Sequence, residues 1–386
     1  MESSNRSGRY MQQPSGYKAF IPSPLPPQPP VNLDNEMLAL LSKADRCLGR
    51  LDGITEILPN PDLFVAMYVK KEALLSSQIE GTQASLIDVL EVNEFAGTDK
   101  EKSVEEVVNY VHAMNYGLER LNELPLSLRL IREIHRVLMI GVRGSERSPG
   151  EFRRTQNWLG PQGSTLSTAT FVPPPEHEMI SAMNSLEDFF YKEDYLPPLI
   201  KIGLIHAQFE TIHPFLDGNG RMGRLLITFW LCHQQILAKP LLYLSYYFKR
   251  NRSEYYDRLM DIRIKGDWES WLKFFLKGIA EISVEATDTA KSILSIKEEH
   301  SRIINASVSN PANGLKLLEI LYGSPIITVN LTRDLLNVSY PTASSLVTEF
   351  CSLGILTDNP EEQRNKKYKY QQYIKLLEVG TDLING

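Results

Sequence analysis

Cysteine is scarce in this chain of 386 residues: Cys47, Cys232 and Cys351 stand far apart and show no paired metal-ligand spacing. A disulfide framework or a structural zinc site is therefore not expected, and the three read as packing residues in a reducing compartment. No stretch approaches the roughly eighteen apolar residues of a membrane span. Met1 is followed by polar residues and not by the apolar core of a secretory signal. A cytoplasmic protein with no membrane partner is the expectation. The sequence GxxxxGK[ST] does not occur, which removes a P-loop kinase. Basic excess is missing as well, since 41 Lys and Arg face 47 Asp and Glu for a net charge of −6. The surface as a whole is not a polyanion binder, so nucleic-acid contact would need a local basic patch.

What is present is the composition of a globular protein, 42% hydrophobic and 23% charged, with room for two or three domains. Residues 1–35 are rich in Ser, Gly, Gln and Pro and end in IPSPLPPQPPVNLDN, which suits an extended arm better than a core. A helical region, 36–125, follows. It opens with Met37, Leu38, Leu41 and Leu48 at helical spacing and continues with a second helix after Pro61-Asp62. Helices are expected over 83–100 and 103–122 and in LSLRLIREIHRVLM. Between about 144 and 178, Gly, Pro, Ser and Thr break the helical pattern. Two β-prone runs, QNWLG and ATFVPPP, suggest a small hairpin there.

The densest cluster of chemistry lies from His213 to Arg224, HPFLDGNGRMGR, where a histidine, an aspartate, an Asn between two glycines and two arginines occur within twelve residues. Gly218, Asn219 and Gly220 can adopt conformations that turn successive N–H groups inward to form an anion nest. Helical spacing of Met222, Leu225, Leu226 and Phe229 puts that nest at a helix N-terminus, where the dipole favours phosphate. Asp217 supplies a hard oxygen suited to Mg²⁺. His213 is the candidate general base.

This segment matches every fixed position of HxFx[DE]GNGRxxR, and the chain thereby resembles the Fic family, whose best-known members transfer AMP from ATP to protein hydroxyls. The resemblance implies that His213 deprotonates the target hydroxyl and that Asp217 carries Mg²⁺. It implies nucleotide contacts from Gly218, Asn219, Gly220, Arg221, Met222, Gly223 and Arg224, the last holding the γ-phosphate. Tyr255 and Tyr256 match a tyrosine pair of the adenine pocket, whereas Arg263 stands where some relatives place an asparagine. The expected hairpin corresponds to a flap that clamps the target by strand addition, with Asn157, Trp158, Leu159 and Gly160 over the site.

Ser76-Ser77-Gln78-Ile79-Glu80-Gly81 matches the [ST]xxxE[GN] pattern of an autoinhibitory helix in such proteins. Residues of these types also end helices with no role beyond solvation and a Gly cap. In the inhibitory reading, Ser76, Glu80 and Gly81 place a carboxylate on Arg224, taking the fork meant for the γ-phosphate.

The expected architecture is mostly α: a Fic-type helical bundle with a small β-hairpin flap, its core at 126–283, a linking helix at 284–306, and a domain at 307–386. That last domain reads helix, helix, helix, two-stranded wing, and resembles a winged helix-turn-helix. Two enzyme alternatives are AMP removal, with Glu80 positioning a water, and transfer of another phosphate-containing group. A third reading makes the chain a nucleotide-sensing transcriptional regulator. The implied partners are ATP and an unidentified target protein, with self-modification and homo-oligomer formation in view.

Basic residues in the last domain are few, with Arg364, Lys366, Lys367 and Lys369 confined to the wing. Protein or self-association is therefore ranked ahead of DNA for residues 307–386. Duplex binding by the full chain is expected to be weak and to fall steeply with salt. Tight, sequence-selective binding at physiological salt, measured by fluorescence anisotropy, would reverse that ranking.

Overall fold

The structure, a computed structural model, describes residues 6–56, 61–91, 99–142, 146–161, 163–193, 195–358 and 366–383. It is mostly α, as the sequence leads one to expect. The arm begins with a hairpin, β1 (Gly8–Gln12) against β2 (Lys18–Pro22), with Tyr10 opposite Phe20. This differs from a purely extended arm, because Ala19 and Phe20 are apolar enough to be buried completely. Arg6 then fixes the proline run to the bundle, pairing both guanidinium nitrogens with Glu269 at 2.7 Å and donating to the carbonyls of Pro29 and Pro30.

Helix α1 (Asn35–Gly53) starts at Asp34, whose side chain accepts from Met37 N at 2.8 Å. Its stripe of Met37, Leu41, Ala44, Leu48 and Leu51 faces inward. Helix α2 (Pro61–Ile79) is enclosed on nearly every side after Tyr68, and α3 (Leu86–Leu90) is a short turn closed by a capping box of Ser85 and Asp88. The helix expected over 83–100 is thus limited to α3 among the described residues, and 92–98 lie outside them. Next come α4 (Asp99–Arg120), α5 (Leu128–Leu138) and α6 (Glu176–Tyr191).

At the centre run α7 (Pro198–Ile212) and α8 (Asn219–His233). Every residue of α7 from Leu199 onward is buried, the mark of a helix surrounded by others. Gly203 permits this closeness: a Cβ there would lie 2.7 Å from Leu272 Cδ2, and the Gly203 carbonyl accepts from Trp271 Nε1 at 2.8 Å. The packing is completed by α9 (Ser245–Arg250), α10 (Arg252–Lys265) and α11 (Trp268–Ser307). The expected linking helix is continuous with the last core helix, since no Gly or Pro interrupts α11 after Gly278 and Ala286, Ala290, Ile293, Ile296 and Ile304 keep burying one face.

The remaining elements are α12 (Pro311–Gly323), β3 (Ile326–Ile327), α13 (Val329–Leu336), α14 (Tyr340–Ser352), β4 (Thr357–Asp358), β5 (Tyr368–Lys369) and α15 (Gln371–Glu378). The three strands form one antiparallel sheet in the order β3-β5-β4. Two details differ from the sequence reading. A third strand, β3, joins the expected pair, and Gln371 onward is helix, because Tyr373, Ile374 and Leu377 recur at helical spacing and are buried. Arg364 lies outside the described residues. Lys366 pairs with Asp358, while Lys367 and Lys369 pair with Glu91 at 3.2 and 3.0 Å.

Among the described residues, the expected flap hairpin is reduced to one antiparallel pair, Leu159 with Phe171, bonded in both directions at 2.8 and 3.0 Å. The segment between them folds on its own polar side chains, with Trp158 Nε1 donating to Ser164 O and Ser164 Oγ to Pro161 O. These local bonds compete with a longer ladder. Phe20 N, from β2, adds a bond to Val172 O at 2.9 Å.

Candidate functional site

The loop between α7 and α8 is set by its own residues first. His213 caps α7 in the left-handed region, φ 51°, and Gly218 takes the same region, φ 74°, immediately before α8. Asn219 then clasps Phe215 with both ends of its amide: Phe215 N donates to Oδ1 and Nδ2 donates to Phe215 O, each at 2.8 Å. The expected role of Asn219 in binding phosphate therefore rests on its backbone, because its side chain is used in shaping the loop. The first intrahelical bond of α8 runs from Met222 N to Gly218 O at 2.9 Å, which leaves the N–H groups of Asn219, Gly220 and Arg221 without intrahelical acceptors. The Gly218 N–H is taken by the carboxylate of Asp217 at 2.7 Å.

Partners from distant elements hold this loop. His135 on α5 stacks on Phe215, centroids 3.6 Å apart and rings 5° from parallel. Its Nδ1 accepts from Gly150 N at 2.9 Å, so Nε2 carries the proton and donates to Asp217 O at 3.0 Å. Burial pushes this imidazole down to about 4, so it stays neutral at physiological pH. Arg153 donates from Nε to His213 O at 3.0 Å, and Asn157 donates from Nδ2 to His213 O and Phe215 O at 3.3 and 2.9 Å. Asn157 thus supports the loop in addition to lining the cleft. Sequence reasoning missed His135 and Arg153, and in both cases the residue signals nothing until the fold puts it beside the loop.

A cleft of about 230 Å³ opens over the loop, lined by His213, Asp217 to Arg221, Asn157 to Leu159, Glu80, Glu106 and Arg147. Trp158 is half-exposed at its rim, while Gly160 lies against Ser164. Burial first, and then the positive charges of Arg263 and Arg153, lower His213 to about 3, and its Nδ1 is buried with no hydrogen-bond partner. Asp217 Oδ2 faces Arg147 at 3.7 Å, and Arg221 Nη2 lies 3.8 Å from Oδ1. Arg221 is buried beside Met139, with Nε and Nη1 unpartnered. No group of three or more His, Cys, Asp or Glu that could hold a metal ion occurs among the described residues.

Arg224 is one turn further along α8. Its Nε donates to Ser76 Oγ at 2.8 Å, and Nη2 donates to Ser76 O at 3.0 Å and to Glu80 Oε1 at 2.6 Å. The arginine side chain is 2% exposed and the glutamate side chain 35%, so the pair runs from the core to the cleft wall. Burial alone would raise the Glu80 carboxyl. The charge and hydrogen bond of Arg224 outweigh it, helped by Arg221, and hold Glu80 below the usual carboxylate range. Gly220 leaves the room for this: a Cβ there would lie 2.2 Å from Glu80 Oε1. Gly81, φ 97°, turns the chain away directly afterwards.

Other expected nucleotide residues are dispersed. Met222 is fully buried, and Gly223 packs on Glu210 and Phe209, so both face the core. Tyr255 is buried against Phe248 and its hydroxyl meets His206 Nε2 at 2.9 Å. Only Tyr256 of the tyrosine pair is exposed. Arg263 is buried, donating to Glu210 O and Thr211 Oγ1 and covering the Phe171 ring at 3.9 Å, where it braces the end of α7.

A neutral His213 with a buried Nδ1 gives a direct test. Its ring resonances should stay put as pH falls from 8 to about 5 in the folded protein, since protonation is deferred to far below the ordinary range. An NMR titration with a midpoint between 6 and 7 would contradict this environment.

Comparison with known proteins agrees with the geometry. The Fic/DOC family N-terminal profile matches residues 38–119 and the Fic/DOC family profile matches residues 125–231. Protein adenylyltransferase Fic of Drosophila grimshawi is 30% identical over 217 residues, and that of Drosophila willistoni 29% over 217 residues. Each alignment spans 53% of this chain and 41% or 40% of the relative, so the chain matches about two fifths of the length of these curated relatives. A Fic family protein from Desulfovibrio desulfuricans superposes with a TM-score of 0.57 at 20% identity, covering 88% of this chain and 97% of that one, which establishes likeness of fold. Two consecutive profiles are matched and the loop of the second is built as described, so the chain carries the Fic/DOC N-terminal domain over residues 38–119 and the Fic/DOC domain over residues 125–231.

Proposed function

We propose that this protein is a nucleotidyltransferase that moves AMP from ATP to a Ser, Thr or Tyr hydroxyl of a protein, itself included, and that Glu80 restrains it. The names of the Drosophila relatives support the reaction class. The observation that carries the reading is the 2.6 Å pair of Glu80 with the buried Arg224, at the wall of a cleft that also holds the neutral His213.

The phosphate chain of ATP lies along the Gly218–Gly220 backbone and the free N–H groups at the start of α8, with Arg221 behind them. Arg224 takes the γ-phosphate once Glu80 withdraws. His213 accepts the proton of the target hydroxyl, whose oxygen attacks the α-phosphorus, and the bond to pyrophosphate breaks. General-base action of this kind contributes roughly a hundred- to ten-thousandfold in rate, and charge stabilisation at the phosphates supplies more. Mg²⁺, when bound, neutralises phosphate charge. Asp217 fits a metal held by one carboxylate and the phosphates themselves, because its Oδ2 faces the cleft and Arg147 approaches it only to 3.7 Å among the described residues. The segment from Asn157 to Leu159 at the rim receives the target chain.

A second reading is kept because Glu80 both lines the cleft and is ionised. The same carboxylate can position a water, making removal of AMP the reaction. The domain after α11 is read as a winged helix that binds protein before DNA, since its basic wing residues Lys366, Lys367 and Lys369 are already paired within the chain.

The test follows label from ATP into protein. Label from the α-phosphate and none from γ is expected, and Glu80→Gly should raise it by about tenfold or more. A charged hydrogen bond contributes about 1.5 to 3 kcal/mol, less what solvent at the exposed side of Glu80 screens, and about 1.4 kcal/mol is tenfold in rate. Arg224→Ala in that background should lose the gain. His213→Ala should abolish transfer while calorimetry still registers ATP. Equal transfer by Glu80→Gly and wild type at every ATP concentration would remove the inhibitory role, and undiminished transfer by His213→Ala would remove the base.

A further inference from the structure

The tip of α2, which carries Ser76 and Glu80, is held by more than Arg224. Gln78 is buried two residues before Glu80. Its Nε2 donates to the carbonyls of Ala84 and Thr381, each at 2.9 Å, and its Oε1 accepts from Lys249 Nζ at 2.7 Å. Lys249, on α9, donates onward to Gly380 O at 3.1 Å and to Asp382 O. All three ammonium protons are thereby used. Burial lowers this lysine from its ordinary range, with Asp382 opposing, so the site is desolvated as well as bonded.

The segment after α15 fits its place closely. Gly380 has φ 80°, and a Cβ there would lie 2.0 Å from Cε2 of the Tyr246 ring. Nearer the middle of α2, Glu72 accepts from Ser245 N at 3.0 Å and from the Ser245 hydroxyl. The short helix α9 therefore grips α2 at Glu72 and at Gln78, and the second grip alone extends to residues 380–382. Lys249 is not among the residues lining the cleft, so its influence on the site passes through α2.

We propose that Lys249 is a positioning residue for Glu80: by joining Gln78 to the carbonyls of Gly380 and Asp382, it makes the segment after α15 part of the lock that keeps Glu80 on Arg224. The proposal rests on the reading of Glu80 as inhibitory. Removing the ammonium takes the donor from Gln78 Oε1, which is buried, and from the part-buried carbonyls of Gly380 and Asp382, and the buried acceptor is costly to leave bare until water reaches it. The cheapest route for water is separation of residues 380–382 from α9, which frees the α2 tip. A methionine at 249 keeps the apolar stem that packs there and removes only the donor.

The experiment compares full-length wild type, Lys249→Met, Gly380→Val, Glu80→Gly and the Lys249→Met/Glu80→Gly double variant. It reads AMP transfer from α-labelled ATP together with amide hydrogen exchange. Lys249→Met and Gly380→Val should each raise transfer about three- to tenfold, the range that loss of one or two hydrogen bonds spans. Exchange should quicken at Ser76 to Thr82 while α7 stays protected. The double variant should transfer no faster than Glu80→Gly, since the lock is already absent there. Unchanged exchange at Ser76 to Thr82, or a gain in the double variant that multiplies the two single gains, would overturn the proposal. If Glu80→Gly itself gains nothing, the inhibitory reading has failed, and the exchange data still decide whether Lys249 holds the α2 tip. If Lys249→Met does not fold, Gly380→Val answers the same question from the other side of the contact.

Discussion

Arg224 has almost no exposed surface, so its charge has to be met inside the protein by an anion and by good acceptors. Much of the surrounding structure follows from that demand. Ser76 gives two acceptors and Glu80 the anion, which fixes the rotation of α2 about its axis and the depth of its tip. Glu72 and Gln78 on the same helix then meet α9, so one orientation of α2 satisfies several buried polar groups at once. A phosphate, like a carboxylate, is an anion that presents two oxygens to a guanidinium fork. On the proposed reading, one anion replaces the other without leaving the guanidinium bare, so inhibition through Glu80 would add no stability problem of its own.

The loop before α8 shows how much of a site local sequence can build. From His213 to Gly220, two left-handed residues, one amide clasp and one Asp-to-Gly bond fix the path of the backbone, and all their members lie within eight positions. That is why the segment was legible from the chain alone. The pattern [ST]xxxE[GN] was legible for a related reason, because helix spacing puts Ser76 and Glu80 on one face, able to meet a single arginine.

What was not legible depends on elements far apart in sequence. His135 and Arg153 look like ordinary residues of a helix and a loop until tertiary packing brings them to the Asp217 and His213 carbonyls. Lys249 likewise has no signature, since its acceptors are three carbonyl oxygens contributed by residues 78, 380 and 382. The flap reads as a hairpin because its runs are β-prone, but serine and threonine hydroxyls between them hold the intervening chain in turns. The linking helix was read as separate because its exposed face is polar, although its buried face continues without interruption.

His213 also bears on how this site weighs stability against chemistry. Its backbone sits at φ 51°, where a side chain with a Cβ is disfavoured and glycine is not. The carbonyl bonds from Arg153 and Asn157 hold the residue in that conformation against its preference. Glycine at this position would relax the turn and remove the imidazole in one step. If His213 is the base proposed above, a search for more thermostable versions of this chain would favour its loss, and resistance to heat and competence in proton transfer would pull in opposite directions at a single residue.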